Sequence, residues 1–169
     1  MAALVVITGP IGSGKSTIAG VLASRLGART TDLDDLFFAD VDAGWRTARV
    51  QQAAMVRAWL DAGDDVVVHG PFGTAPERAD LDAIGIPYLL VLLSVPFDVA
   101  EARVLADSTR GASRDRDFLR RTHDEWARIW PTVPADVVYD TASATLDDVV
   151  DDLVTRLRAC RGTAPDPRS

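Results

Sequence analysis

The sequence contains no asparagine, a single lysine and a single cysteine among its 169 residues. Without asparagine, the Asn-Lys-x-Asp motif that recognises guanine is impossible, so we do not expect a Ras-like GTPase switch. Cys160 cannot form a disulfide within the chain, which favours a reducing, cytoplasmic location. No apolar run approaches the roughly 20 residues that cross a bilayer, and no secretory signal pattern is present, so we expect no membrane partner.

Basic residues are fewer than acidic ones, with 18 lysine and arginine residues and 25 aspartate and glutamate residues. The net charge of −7 argues against a nucleic-acid partner, since general nucleic-acid binders carry a basic face. The length and the hydrophobic content of 47% fit one globular domain, which we place at residues 1–160. Residues 161–169 are rich in glycine, proline and charge, so we expect a disordered tail there.

The single lysine belongs to the most specific motif of the chain, GPIGSGKST at residues 9–17. It matches G-x-x-x-x-G-K-[ST], the phosphate-binding loop (P-loop), and it lies between an apolar strand and an apolar helix, as that pattern requires. Its glycines let successive backbone N–H groups point at phosphate oxygens, and the helix dipole adds to the attraction. We therefore expect a nucleoside triphosphate to be contacted by Gly9, Ile11, Gly12, Ser13, Gly14, Lys15, Ser16 and Thr17.

Two side chains of the P-loop have distinct expected roles. Lys15 would reach the β- and γ-phosphates, where a compact ammonium is wanted. The Ser16 hydroxyl would bind Mg²⁺.

The apolar pattern along the chain predicts strands that alternate with helices. Short apolar runs predict strands at residues 4–8, 28–31, 66–68, 87–93 and 137–139, and we interpret residues 36–44 as a connection. This alternation predicts an α/β protein, a three-layer α/β/α domain with a five-stranded parallel sheet and the P-loop NTPase fold. Ligands of such sheets bind beyond the carboxyl ends of the strands, so we expect the functional residues to lie in the turns that follow the strands.

Three carboxylates follow the second predicted strand. Asp32 and Asp34 are two residues apart, which places both side chains on one face of an extended segment. Phosphoryl transfer to a hydroxyl needs a carboxylate that accepts the proton and acidic help for Mg²⁺. We assign Asp34 as the base and Asp32 as a metal ligand beside Ser16, while a merely solvated acidic turn remains the alternative.

The turn after the third strand, His69-Gly70-Pro71-Phe72-Gly73, is a candidate acceptor site. Many P-loop proteins have an acidic metal-orienting residue at this strand end, and its replacement by His69 shifts that duty to Ser16 and Asp32. His69 would contact the substrate or act as an alternative base. Gly70 permits close approach of the backbone to a ligand, and Phe72 would provide an apolar wall.

An arginine-bearing segment at residues 107–117 has the small, polar character of a closing lid. An arginine carried by such a lid neutralises the charge that spreads over the transferred phosphoryl group. We select Arg110 and Arg114, because the arginines further on fall in a helix where acidic neighbours would pair with them.

With these parts in place, the chain resembles the small P-loop kinases of the nucleoside-monophosphate-kinase-like fold, namely shikimate kinase, gluconate kinase and chloramphenicol phosphotransferase. The Asp32-x-Asp34 pair is similar to the acidic pair of the shikimate kinases. The resemblance implies that Asp34 deprotonates the acceptor hydroxyl and that Arg110 belongs to the lid over ATP. Shikimate itself is not expected, because no arginines match those that hold its carboxylate.

We therefore predict an ATP- and Mg²⁺-dependent phosphotransferase that acts on a hydroxyl of a small molecule, such as a sugar, a metabolite or an antibiotic. The alternative is a P-loop nucleotide-binding module that hydrolyses ATP slowly and acts through a protein partner. The sequence alone identifies neither the acceptor nor the oligomeric state.

Overall fold

The computed structural model describes residues 2–109 and 111–162, with side chains described up to residue 159. Its strands form one parallel sheet in the order β2-β3-β1-β4-β5. They are Leu4–Thr8 (β1), Arg29–Asp32 (β2), Val66–His69 (β3), Tyr88–Ser94 (β4) and Val137–Asp140 (β5). The prediction of a five-stranded parallel sheet is confirmed.

Helices follow each strand within the described ranges. They are Lys15–Leu26 (α1), Leu33–Ala39 (α2), Gly44–Asp61 (α3), Ala75–Asp82 (α4), Phe97–Ala106 (α5), Arg116–Ile129 (α6) and Leu146–Gly162 (α7). Short 3₁₀ turns occur at Val41–Ala43, Ala112–Arg114 and Trp130–Thr132. None of the helices in this part of the chain is long and apolar enough to cross a membrane.

The central strand β1 buries both of its faces, because its side chains alternate between two clusters. Val5 and Ile7 pack in the cluster formed with α1 and α7, and Leu4 and Val6 pack in the cluster formed with α2, α3 and α4. A strand covered on both sides reads as a continuous apolar run, which is what residues 4–7 show. Two helical layers therefore enclose the sheet, and the predicted three-layer architecture is confirmed.

The stretch after β2 differs from the prediction, since residues 33–39 form helix α2 rather than part of a connection. Asp32 caps this helix by accepting a hydrogen bond from the Asp34 backbone N–H at 3.0 Å. Asp34 and Asp35 lie in the first turn, where negative charge favours the helix dipole, and Leu33 is buried. The acidic residues are thus a helix-start signal, and the assumption that Asp32 and Asp34 share an extended segment is wrong.

The predicted lid and tail lie partly outside the described residues. Segment 107–117 contains the 3₁₀ turn Ala112–Arg114 and the beginning of α6, whereas Arg110 is outside the described ranges. Helix α7 continues to Gly162, so the first two residues of the predicted tail are helical. The remaining tail residues, 163–169, fall outside the described part of the chain.

The register of the sheet brings the expected site residues to one edge. Asp32 at the end of β2 pairs with His69 at the end of β3, and Ser94 at the end of β4 pairs with Asp140 at the end of β5. The P-loop leaves the same edge from β1, between these two pairs of strands. The carboxyl edge therefore gathers the turns that the sequence singled out.

Candidate active site

The P-loop connects Thr8 at the end of β1 to Lys15 at the start of α1, and its shape depends on glycine. Gly9, Gly12 and Gly14 have φ angles of 152°, 81° and 91°, a region that side chains disfavour. A Cβ on Gly9 would lie 2.5 Å from the carbonyl oxygen of Leu93, whereas a Cβ on Gly14 would meet no heavy atom closer than 4.0 Å. Gly9 is thus required by packing, and Gly14 by the backbone turn that starts α1.

The Lys15 ammonium lies inside the curve of the P-loop. Its Nζ donates hydrogen bonds to the carbonyl oxygens of Gly9 at 2.8 Å and Pro10 at 2.9 Å. These bonds hold the positive charge at the loop that is predicted to receive phosphates. The position of Lys15 agrees with its expected role, which stays a prediction.

A cavity of about 340 Å³, here called the P-loop cavity, opens between the P-loop, α5 and the turn after β5. Arg103 of α5 joins these elements, since it donates to the carbonyl oxygens of Gly12 at 3.2 Å and of Thr141 at 2.6 Å, and to the Thr141 hydroxyl at 3.0 Å. The cavity is large enough for a heterocyclic base and a sugar. Its lining comprises Gly12, Ser13, Gly14, Thr17, Ile18, Arg103, Val104, Asp107, Thr141, Ala144, Thr145, Leu146 and Val149.

A second cavity, of about 490 Å³ and here called the carboxylate cavity, lies on the other side of the start of α1. Ser16 and Asp32, the two predicted metal ligands, both line it. Within the described residues no group of three or more His, Cys, Asp or Glu side chains could hold a metal by itself. A hydroxyl and a carboxylate suit Mg²⁺, which keeps water and substrate phosphates as further ligands, so the donor set fits this ion. The lining comprises Ser16, Thr30, Thr31, Asp32, Asp35, Leu36 and His69.

Asp34 lies in the first turn of α2, half-buried and surrounded by charges. Burial raises the pKa of its carboxyl above the usual range, and the negative charge of Asp32 raises it further. Lys15 and His69 act in the opposite direction and lower this pKa. The structure therefore brings the predicted base close to the P-loop lysine, even though it sits on a helix rather than a strand.

His69 is 6% exposed at the end of β3, facing the carboxylate cavity. Its Nδ1 lies 3.5 Å from the Asp32 Oδ2 and makes no hydrogen bond. Burial, followed by the positive charge of Lys15, lowers the pKa of His69 to about 4 despite Asp34 and Asp35. The imidazole is consequently neutral at neutral pH.

The turn after β3 is tied to the P-loop strand through Thr8. The Thr8 hydroxyl donates to the Gly70 carbonyl oxygen at 3.1 Å and accepts from the Phe72 backbone N–H at 2.9 Å. Gly70 has a φ of 154°, and a Cβ there would lie 2.8 Å from the Leu33 Cβ. Phe72 is 1% exposed and packs in the core beneath the turn, so its ring is not the open apolar wall that the sequence suggested.

Of the two arginines selected for the predicted lid, the structure describes only Arg114. Arg114 is exposed on its 3₁₀ turn, and Arg110 lies outside the described residues. Arg120 of α6 instead stacks on Phe97 at the start of α5, with its Cζ 3.3 Å from the ring centre. Sequence reasoning had left Arg120 to pair with acidic residues of its own helix, because a partner on α5 leaves no local pattern.

Sequence reasoning missed two contacts with the P-loop, one made by His123 and one made by Arg103. The His123 Nε2 lies 2.9 Å from the Ile11 carbonyl oxygen and so ties α6 to the P-loop. These partners are 112 residues apart in the chain, as Arg103 and Gly12 are 91 apart. In the sequence, the only indication of these contacts was that Arg103 and His123 both follow strand β4. They lie on helices α5 and α6, which reach over the carboxyl edge of the sheet.

Comparison with known proteins places these features in a family. A family model described as "AAA domain" matches residues 4–129, three quarters of the chain. A shikimate kinase from Halorhodospira halophila is 28% identical over 166 residues, covering 90% of this chain and 92% of that protein.

Solved structures share the same fold. A sugar kinase from Janibacter has a TM-score of 0.72 at 19% identity, covering 98% of this chain and 100% of its own. The shikimate kinase of Acinetobacter baumannii in complex with shikimate has a TM-score of 0.67 at 19% identity, with 94% of both chains covered. A tunicamycin resistance protein from Deinococcus radiodurans has a TM-score of 0.68 at 16% identity, covering 93% and 96%. The predicted resemblance to small P-loop kinases is confirmed.

Proposed function

Because this chain belongs to the family described as an AAA domain, we propose that it is a kinase that moves the γ-phosphoryl group of ATP to a hydroxyl of a small molecule, with Mg²⁺. The observation that carries the proposal is the position of Asp34, whose half-buried carboxylate is close enough to Lys15 of the P-loop for their charges to interact. A module that only binds nucleotide needs no such carboxylate next to the transferred group. The kinase names of the shikimate and sugar kinase relatives support the same class of reaction.

The donor nucleotide would bind along the P-loop. Backbone N–H groups at the start of α1 would surround the β-phosphate, and Lys15 would exchange its bonds to Gly9 and Pro10 for phosphate oxygens. The base and ribose would occupy the P-loop cavity, whose wall Arg103 fixes by joining Gly12 to Thr141.

Magnesium would be held by the Ser16 hydroxyl and by Asp32, which both line the carboxylate cavity. When bound, the ion supplies positive charge that stabilises the developing charge on the β- and γ-phosphates.

Asp34 would accept the proton of the acceptor hydroxyl as its oxygen attacks the γ-phosphorus. A bond forms between that oxygen and phosphorus, the bond to the bridging oxygen of ADP breaks, and the proton remains on the Asp34 carboxyl. Its raised pKa makes Asp34 a better proton acceptor than an exposed aspartate. His69 would act as a neutral hydrogen-bonding partner of the acceptor, since its pKa of about 4 and its burial suit it less to accept a proton.

The proposal is tested by ADP formation in a panel of sugars, polyols, metabolites and antibiotics, with the wild type, Asp34→Asn and Asp42→Asn. Asp42 is exposed on the turn before α3 and serves as a matched control. One compound should stimulate ADP formation, and Asp34→Asn should lower that rate by about 10²–10⁴-fold with ATP still bound. Slow hydrolysis that no compound stimulates would support the nucleotide-binding module. Full transfer by Asp34→Asn would move the role of base to His69.

A further inference from the structure

A third cavity, of about 260 Å³, shares no lining residue with the P-loop cavity or the carboxylate cavity. We call it the aromatic cavity, because three of its walls are the rings of Phe97, Trp126 and Trp130. Its other lining residues include Pro10 of the P-loop, Ser94 at the end of β4, and Arg120, His123 and Asp124 of α6. All three rings are half-buried, so each presents part of its surface to the opening.

The walls of the aromatic cavity are fixed by contacts with one another. Arg120 stacks on the face of Phe97, and the His123 ring meets Phe97 edge-on, with centres 5.4 Å apart and planes at 87°. His123 is in turn anchored to the Ile11 carbonyl oxygen of the P-loop at 2.9 Å. Preorganised aromatic walls lose little freedom when a ligand binds, which is typical of a built binding site.

The aromatic cavity also lies next to the proposed donor site and the proposed acceptor site. On the acceptor side, a Cβ added to Gly73 would lie 2.9 Å from the Trp126 Cη2, so the indole packs directly on the turn after β3. On the donor side, Pro10 lines the cavity, and its carbonyl oxygen accepts a hydrogen bond from Lys15. A ligand in the aromatic cavity would therefore lie within a few ångströms of the P-loop and of the turn after β3.

The chemistry of the walls differs from that of the carboxylate cavity. Carboxylates, hydroxyls and an imidazole form most of the carboxylate cavity, which suits Mg²⁺ and the reacting hydroxyl. The indole faces of Trp126 and Trp130 instead favour a flat, apolar ring, which they bind by burial and stacking. An acyclic polyol has no flat surface that would cover these faces.

We propose that the aromatic cavity binds the non-reacting part of the acceptor, and that the acceptor is an alcohol carrying an aromatic or flat unsaturated ring. This inference rests on the proposed kinase function and narrows its substrate class. Trp130 and Trp126 hold the ring, while the hydroxyl extends past the turn at Gly73 toward Asp34.

The test compares two diols that differ by a ring. Binding of 1-phenylethane-1,2-diol and of propane-1,2-diol is measured by ligand-observed NMR with the wild type, Trp130→Leu, Ala127→Leu and Trp45→Leu. Ala127→Leu adds bulk on the cavity wall, and Trp45, on α3, is the control because it lies outside the cavity. Circular dichroism confirms that each variant is folded.

We expect saturable binding of the phenyl diol only, weakened at least tenfold in Trp130→Leu and Ala127→Leu and unchanged in Trp45→Leu. If Trp130→Leu does not fold, Ala127→Leu decides the outcome. Equal binding by the cavity variants and the wild type, or no preference for the ring, would overturn the inference.

ADP formation with the same diols separates this inference from the proposed function. If the ring-bearing diol binds but no alcohol stimulates ADP formation, the aromatic binding site is supported and the kinase proposal is contradicted. If ring-free alcohols are phosphorylated as well as ring-bearing ones, the kinase proposal is supported and the aromatic subsite is contradicted.

Discussion

Arg103 and Thr141 are joined by two hydrogen bonds, from the guanidinium to the Thr141 hydroxyl at 3.0 Å and to its carbonyl oxygen at 2.6 Å. The same guanidinium reaches the Gly12 carbonyl oxygen at 3.2 Å. Thr141 also donates its hydroxyl hydrogen to the carbonyl oxygen of Ser94 at 3.1 Å. One arginine of α5 thereby fixes the P-loop relative to the ends of β4 and β5.

Replacing Arg103 by methionine should weaken ATP binding by about 10–100-fold. The variant keeps the aliphatic stem but loses charge-assisted hydrogen bonds, each worth about 1.5–3 kcal/mol. Titration with a fluorescent ATP analogue measures the change. Arg158→Met is the matched control, because Arg158 is exposed on α7. An unchanged affinity in Arg103→Met would show that the bridge does not shape the nucleotide site.

Replacing Lys15 by either methionine or arginine should weaken ATP binding strongly. Methionine removes the charge, whereas arginine keeps it but replaces a compact ammonium by a broad planar group. The space between the Gly9 and Pro10 carbonyl oxygens, which the Nζ bonds at 2.8 and 2.9 Å, suits only the ammonium.

The same fluorescent titration separates the two Lys15 variants. Thermal unfolding without nucleotide serves as the control, since both variants lose the bonds within the loop. Wild-type affinity in Lys15→Arg would mean that charge alone is required at this position.

The order of strands and helices could be predicted because it depends on local pattern. The apolar run at residues 4–7 and the glycines of the P-loop define β1 and the start of α1 without reference to distant residues. Helix α2 was missed because only seven residues form it and the apolar Leu36-Phe37-Phe38 run gave no helical period. The N-cap at Asp32, followed by acidic residues, was the signal that could have identified it.

The candidate site could be predicted only as a set of turns. The P-loop, Asp32, Asp34 and His69 follow strands, so the rule that ligands bind at the carboxyl edge placed them together. The roles of Arg103, Arg120 and His123 depend on where α5 and α6 cross the P-loop. Side chains on helices contact elements that are distant in sequence, and no local pattern encodes those partners.

Replacing Gly73 by alanine should destabilise the protein by about 1–3 kcal/mol, the usual cost of overpacking. The new methyl group would lie 2.9 Å from both the Trp126 Cη2 and the Ile129 Cγ2. Relief requires α6 to move away from the turn after β3. Urea unfolding measures the loss of stability.

Gly20→Ala is the matched control for Gly73→Ala. Gly20 lies on the exposed side of α1, and a Cβ there would meet nothing within 4 Å. Alanine in this helix should stabilise the protein by about 0.5–1 kcal/mol. Opposite signs for the two substitutions would support the contact between Gly73 and Trp126, and equal effects would contradict it.

Acid should destabilise the protein partly through His69. Burial lowers the pKa of this imidazole from 6.5 to about 4 in the folded state, so between these values the unfolded chain binds the proton and the folded protein does not. The contribution to stability is complete above pH 6.5 and declines as the pH falls toward 4, by up to about 3 kcal/mol. A His69→Gln variant should therefore lose less stability than the wild type over this range. Urea unfolding from pH 7.5 to 4 measures the difference, with His123→Gln as a control that removes the other histidine. A His69→Gln variant as sensitive to acid as the wild type would show that the folded protein accommodates the protonated imidazole.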